Sequence, residues 1–343
     1  MGNALREASG LGPREPDVPG GETFTETGAD LPRSAFADAP GHVTGIFVPE
    51  VDDPDLLAQG SRGAGVVLDV GVSARATAQR APQAGGGTLQ IRERGDAVRL
   101  PITREALESL PGLKDWIVEV DLQHDLPVSQ GLGMSAAGSL AACLAVSELL
   151  GLPPRSAVEA AHRAEVRLHG GLGGVVSILG GGVEVRRRAG LPPHGVVERT
   201  PMVQGFFLGT LDRPVPSPPL LSNPEFLLRV RRAGERWLSE LGPPPIRWEA
   251  LLSVFEVFTD ELGLAPLPLR EAMLKLRQEG CRCAQTMLGN TLLAWAPDED
   301  AEERLIRTFR QAKLTLRRVH VGREGARSRP GPGHAEVRAS ERL

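Results

Sequence analysis

Hydrophobic and polar positions divide the chain into two regions of different character. In the first, "AFADAPGHVTGIFVP" and "GAGVVLDVGVSARATAQ" have strand character, with the turn-rich "AQGSRGAG" between them. "TLQIRER" and "AVRLPI" predict a hairpin, and "DWIVEVDLQHDLPV" predicts a further strand. Two helices follow. The first is expected over residues 135–150, ended by Gly151 and the Pro153-Pro154 pair. The second is expected to start at Ser156, which has capping-box spacing to Glu159, and to stop before Gly170. "GGGVEVRRRAG" then returns as a strand. From about Pro201 the pattern becomes "VQGFFLGTL" and a set of helices over 224–241, 246–262 and 267–279. "CAQTMLGNTLLAW", a last helix and a last strand complete it. Strands run together early and helices dominate later, which predicts an α+β protein of two lobes, 34–200 and 201–322, without internal repeat. Residues 1–33 and 323–343 are rich in Gly, Pro and charge without apolar periodicity, and are expected to be flexible.

Composition narrows the function classes. A length of 343 residues suits two lobes better than one core. A formal charge of −4 with no basic patch argues against a nucleic-acid partner. Lysine occurs only at Lys114, Lys275 and Lys313, none after a glycine, so no Walker-type phosphate loop is present. Cys143, Cys281 and Cys283 form neither a disulfide framework nor a four-cysteine zinc site. The first residues lack the apolar core of a signal peptide, and no run is long enough to span a bilayer, so no membrane partner and a cytoplasmic location are expected. Gly2 is followed by Arg6 where a myristoylation signal has Ser or Thr.

The chemistry concentrates in "PVSQGLGMSAAGSLAACLAV", residues 127–146. A glycine-rich turn feeding a helix N-terminus suits a phosphate. The first N–H groups lack internal partners, the helix dipole favours negative charge, and missing side chains permit close approach. Ser135 adds a hydroxyl suited to a phosphate oxygen or a metal ion. The same composition also describes a helix built for close packing through Ala136, Ala137, Gly138, Ala141 and Ala142. From these residues alone both readings stand. A dinucleotide fold is a third, since Gly131, Gly133 and Ala136 match G-x-G-x-x-A. Its context fails, because a loop separates the strand from Gly131 and the helix leads to another helix.

"PVSQGLGMSAAGS" resembles the second motif of the GHMP small-molecule kinases, which include galactokinase, homoserine kinase and mevalonate kinase. That motif is written P-x-x-x-G-L-G-S-S-A-A. Pro127, Gly131, Leu132, Gly133, Ser135, Ala136 and Ala137 match it, with Met134 replacing the first serine. "APGHVTGIF" with "GSRGAGVVLDVGV", and later "CAQTMLGNTLLA", resemble the archaeal branch of this superfamily that phosphorylates pantoate. There the corresponding motifs read approximately A-P-G-H-I-T-G-F-F and S-x-A-M-L-G-N-T. The resemblance spans residues 34–321. It implies a two-lobed GHMP kinase fold, with a ribosomal-protein-S5-domain-2-like N-terminal lobe and a ferredoxin-like α+β C-terminal lobe. It implies transfer from ATP, with Mg²⁺, to the 4-hydroxyl of pantoate, giving 4-phosphopantoate for coenzyme A biosynthesis. Another GHMP kinase acting on homoserine, mevalonate or a similar small alcohol is the alternative. The oligomeric state stays open, a homodimer included.

The resemblance also implies roles. Pro127, Gly131, Leu132, Gly133, Met134, Ser135 and Ala136 would hold the ATP phosphates, and Ser135 would ligate Mg²⁺. Glu165 in "AHRAEVRLHG" matches the carboxylate that completes the metal site, and one Ser with one Glu suits a cation that keeps waters and phosphate oxygens. His162, Glu165 and His169 share a helical face, but a hard-cation phosphate site explains the loop better than a transition metal. A forked guanidinium suits the pantoate carboxylate, making Arg62 beside Ser61 the leading candidate. His42 and Thr44 are expected to bond substrate hydroxyls, and Gly289 and Asn290 to close the pocket from the second lobe. One position departs from the pattern. Related kinases have "GLGDV" where this chain has "GLGGV", so Gly174 stands where a catalytic Asp is expected and no carboxylate follows until Glu184. The base is therefore unassigned. Either phosphoryl transfer proceeds by positioning and charge neutralisation, or the chain is a non-catalytic ATP-binding homologue.

Overall fold

The computed structural model describes residues 33–331. All but the last residue of the extension expected over 1–33, and residues 332–343 of the expected tail, lie outside the described residues.

The first sheet is organised by two long antiparallel strands, β1 (Arg33–Glu50) and β2 (Gly60–Arg80). Small residues face each other across the pair, Ala35 opposite Ala76 and Ala37 opposite Ala74, all buried. The register slips between Pro40 and His42 and again between Thr44 and Ile46. These irregularities bracket His42–Thr44, where a bulge re-aims side chains that strict alternation would send elsewhere. β3 (Thr88–Glu93) pairs parallel with β5 (Trp116–His124), and the two-residue β4 (Asp96–Ala97) closes a short hairpin on β3. Helix α1 (Pro101–Glu108) lies between β4 and β5 in the chain. Of the segment "AVRLPI" expected as a strand, Ala97 belongs to β4, and the last two residues, Pro101 and Ile102, open the helix. Pro101 sits at the helix start, where a fixed φ and a missing N–H do no harm, and Thr103, Ala106 and Leu107 bury one side.

The central helix α2 (Met134–Leu150) has fourteen of its 17 residues buried. It packs on β1, β2, β5, α1 and α3 (Pro154–Arg167). A helix surrounded on all sides needs apolar or small residues all round, which is the pattern of "SAAGSLAACLAV". α3 begins at Pro154, two residues earlier than expected, and no side chain caps it, so Ser156 and Glu159 form no capping box. The short α4 (Gly174–Ser177) leads to β6 (Val183–Arg188), which pairs with β2 and with β7 (Val196–Thr200).

The second sheet is antiparallel, formed by β8 (Gly205–Thr210), β9 (Arg282–Gln285), β10 (Thr291–Trp295) and β11 (Thr315–His320) in the order β11-β8-β10-β9. Its helices are α5 (Pro218–Leu221), α6 (Pro224–Leu238), α7 (Trp248–Leu262), α8 (Leu267–Gln278) and α9 (Glu299–Gln311). Phe207, Leu269, Leu276, Leu292, Leu305 and Phe309 form a core of their own beside α8 and α9, while the larger core continues through α6 and α7 into the first sheet. The last strand, β12 (Arg327–Pro330), pairs with β1 over Ala35–Asp38. This part of the expected flexible tail is therefore ordered, because β1 offers an unpaired edge there. The three cysteines are free and buried, and among the described residues no helix is long and apolar enough to cross a membrane.

The sheet and the α6–α7 layer meet tightly at Gly45, where a Cβ would stand 2.1 Å from the Phe255 ring. Gly45→Ala is expected to cost about 1–3 kcal/mol of stability through overpacking, read as a lower urea midpoint with an unchanged m-value.

Candidate active site

The glycine loop is held between two other segments. Gly131 and Gly133 have φ of 73° and 71°, in the left-handed region. A Cβ on Gly131 would stand 2.4 Å from Thr286 Oγ1, and one on Gly133 would stand 2.9 Å from the His42 nitrogen. Hydrogen bonds complete the knot. The His42 N–H donates to Leu132 O at 3.0 Å, the Met287 N–H to Thr44 O at 2.9 Å, and Thr286 Oγ1 to Gln130 O at 3.2 Å. Three segments far apart in sequence are thereby joined at backbone distance. α2 opens from this knot with Gly133 as its N-cap and no side chain capping it, so its first N–H groups remain available to an anion.

A cavity of about 370 Å³ lies over that helix end. Gly131, Leu132, Gly133, Met134, Ser135 and Ala136 line it, as do His42, Thr44, Ser61, Glu165 and Arg186. Leu100, Pro101, Ile102, Val128 and Leu221 supply an apolar part. Ser135 is exposed at the helix end, whereas Glu165 is buried. Glu165 Oε2 accepts the Val175 N–H at 3.2 Å. Burial pushes its carboxyl up to about 7, against the smaller opposing effects of the Val175 N–H, Arg186 and the Gly174 N–H. Glycines surround it. A Cβ at Gly171 would stand 2.2 Å from Oε1, and one at Gly174 would stand 2.6 Å from Oε1 and 2.7 Å from the Ala136 Cβ. The place expected for an aspartate is thus filled by Glu165 and the start of α2. A hydroxyl, a buried carboxylate and free N–H groups at one cavity are the hard oxygen and amide donors that a divalent cation bound to phosphate takes.

A second charged group lies deeper, on β6. Alternation puts Glu184 and Arg186 on one face of that strand, and both are buried. Arg186 donates from Nη1 to Ser177 Oγ at 2.7 Å and to Glu184 Oε1, and from Nε to Ser61 O at 3.1 Å. His42 Nε2 lies 3.0 Å from Glu184 Oε1, and His42 Nδ1 lies 3.3 Å from Thr44 Oγ1. Burial lowers the imidazole, and the guanidinium of Arg186 keeps the Glu184 carboxyl below the usual range despite burial. Arg199, bonded to the carbonyls of Gly180, Gly181 and Val176, adds a second positive charge nearby.

Several expected residues go elsewhere. Arg62 does not line the cavity; its guanidinium is held by Glu50 and Glu235 on the other side of β2. Arg186 brings a guanidinium to the cavity instead. Asn290 donates to Arg213 O at 2.8 Å, tethering the segment before α5, and does not line the cavity. Gly289 also stays out, because a Cβ there would stand 2.0 Å from Gln130 C, so its lack of a side chain serves the knot behind the loop. Pro127 precedes the loop without lining the cavity. His162 is apart from Glu165's cavity, with Nε2 shared between the carbonyls of Leu56 and Gln59.

Similarity to known proteins agrees with this geometry. The GHMP kinases N-terminal domain matches residues 101–182. A pantoate kinase of Thermococcus kodakarensis is 34% identical over 281 residues, covering 77% of this chain and 88% of that protein. A pantoate kinase of Methanocaldococcus jannaschii is 27% identical over 277 residues, covering 78% and 94%. The chain belongs to the GHMP kinases, in the family of these pantoate kinases. Among solved structures, one described as a phosphotransferase related to the CoA biosynthesis pathway superposes with a TM-score of 0.76 at 29% identity, covering 88% of this chain and all of that one. The mevalonate diphosphate decarboxylase of Staphylococcus aureus superposes at 0.64 with 14% identity, over 87% of this chain and 98% of its own, which shows the shared fold.

The buried carboxylate has a measurable cost. Because the folded protein holds Glu165 at about 7 against an ordinary value of 4.5, the native state binds the extra proton, and stability falls as pH rises through that window. The penalty is absent below the unfolded value and complete above the folded one. Glu165→Gln is expected to be more stable than the parent by about 3 kcal/mol at pH 8. At pH 4 the difference should vanish, as read from urea unfolding of the ligand-free protein at both pH values.

Proposed function

We propose that this chain is an ATP-dependent kinase that phosphorylates pantoate, giving 4-phosphopantoate for coenzyme A biosynthesis, with Mg²⁺ at the transferred phosphate. The observation that carries the reading is one cavity containing an uncapped helix N-terminus, a buried carboxylate and a buried guanidinium. The pantoate kinase relatives support the choice of substrate.

Each group has a task in that reaction. The N–H groups at the start of α2 and the loop from Gly131 to Ala136 hold the phosphates, where donors aimed at developing charge lower the barrier. Ser135 Oγ and the Glu165 carboxylate would hold Mg²⁺, which neutralises phosphate charge when bound. Arg186, with Arg199 behind it, leaves a surplus of positive charge over Glu184 and suits the carboxylate of a hydroxy acid. The same surplus disfavours homoserine, whose ammonium would have to approach it. Phosphoryl transfer depends chiefly on positioning and charge neutralisation, so a glycine at position 174 is compatible with turnover.

A coupled assay of ADP release against pantoate, homoserine and mevalonate tests the reading. Pantoate is expected to be the preferred acceptor, and turnover only with another alcohol, or with none, counts against it. Ser135→Ala should reduce kcat with pantoate by about 10²-fold, the scale of one lost group aimed at transition-state charge. Arg186→Lys keeps the charge but loses the fork, and should raise the KM for pantoate about tenfold with little change for ATP. Arg62→Ala should change neither by more than about threefold, as expected for a partly exposed surface ion pair.

A further inference from the structure

The site lacks a carboxylate at position 174, yet a hydrogen-bonded chain of three other side chains reaches the same cavity. Thr44 lines the cavity, its Oγ1 lies 3.3 Å from His42 Nδ1, and His42 Nε2 lies 3.0 Å from Glu184 Oε1. The imidazole cannot turn freely. A Cβ on Gly65 would stand 2.3 Å from Nε2, and the His42 N–H is tied to Leu132 O. From this geometry we infer that Thr44, His42 and Glu184 form a proton relay that removes the hydroxyl proton of the substrate. The inference rests on the phosphoryl-transfer reading above.

Hydrogen-bond chemistry sets the direction of the relay. An ionised carboxylate only accepts, so His42 must donate from Nε2 to Glu184. Arg186 Nη1 on the same Oε1 keeps Glu184 in that form. A neutral imidazole that donates from Nε2 has a lone pair on Nδ1, and among the described residues the group bonded there is the Thr44 hydroxyl. The charged groups that face His42 are Glu184 and Arg186 on β6 and Arg199 on β7; together with burial, the two guanidinium groups keep the imidazole neutral. In the step itself, the substrate hydroxyl passes its proton to Thr44 Oγ1 while Thr44 passes its own to His42 Nδ1. The freed oxygen forms the new bond to phosphorus as the bond from that phosphorus to the leaving diphosphate oxygen breaks. His42 ends as an imidazolium beside Glu184. Thr44 is the residue that touches the substrate, and His42 and Glu184 act through it.

A purely structural role for His42, tying β1 to β6, predicts different results. Thr44→Val keeps the shape and removes the hydroxyl, and should lower kcat about 10²-fold while the KM for ATP shifts less than threefold. Thr44→Ser restores the hydroxyl and should recover kcat to within about fivefold. His42→Gln, which can still bond Glu184, should lose kcat as Thr44→Val does. Independently of turnover, ¹⁵N-histidine NMR of the ligand-free full chain should show His42 protonated at Nε2 and bare at Nδ1, with the resonance assigned by its loss in His42→Gln. A Thr44→Val protein that keeps kcat within threefold, or a His42 that carries its proton on Nδ1, overturns the relay. A parent protein that leaves pantoate unphosphorylated overturns the substrate reading instead, and the tautomer measurement still decides the relay.

Discussion

Everything at the cavity depends on backbone packed against backbone at three glycines. Gly131 lies on the turn at Thr286–Met287, Gly133 lies on His42, and Gly289 lies on the chain between Gln130 and Gly131. Any side chain at these points would separate segments that are far apart in sequence. Held together, they aim the free N–H groups of α2 outward and keep His42 and Thr44 beside them. A loop fixed in this way does not have to reorganise when charge develops, which is the physical source of preorganised stabilisation.

The second constraint is buried charge. Glu184, Arg186 and His42 are almost completely removed from water, and such a cluster is seldom a net source of stability. Its value lies in specificity: each group has its geometry set by the others. Glu165 is treated differently. It is surrounded by Gly171, Gly174 and the start of α2, with backbone N–H groups of Val175 and Gly174 as its donors, and burial holds it partly protonated near neutral pH. Of the two buried carboxylates, Glu184 lies behind the cavity and is held by fixed cations, whereas Glu165 lines the cavity and is only weakly compensated by Arg186 and backbone N–H groups.

Much of this was legible in the chain. The glycine loop and α2 are local features, and their pattern of small residues announced both a tight turn and a fully buried helix. The close-packing reading of that stretch holds for the alanines of α2, and the glycines pack the loop behind a helix end that no side chain caps. Arg62 was misleading because its glycine-rich surroundings look like a binding loop, whereas in the sheet they let β2 pass close to its neighbours. Arg186 was obscured among three successive arginines. The available signal was the two-residue spacing of Glu184 and Arg186, but alternation alone does not say which face of β6 the protein covers. β12 was hidden by its composition, because its partner edge on β1 lies nearly three hundred residues away in sequence.

The sequence by itself determined the class of chemistry. The glycine turn and small-residue helix taken alone fit close packing as well as a phosphate, and it is their match, with "APGHVTGIF" and "CAQTMLGNTLLA", to the motifs of one kinase superfamily that narrows the reading. Tertiary structure alone decided which charges meet. It sent Arg62 to Glu50 and Glu235, brought Arg186 under the cavity, closed position 174 with Glu165, and joined His42 to Glu184 across 142 residues. The reason is physical: backbone preference acts over a few residues, whereas electrostatic pairing depends on distances that only the packed sheets define.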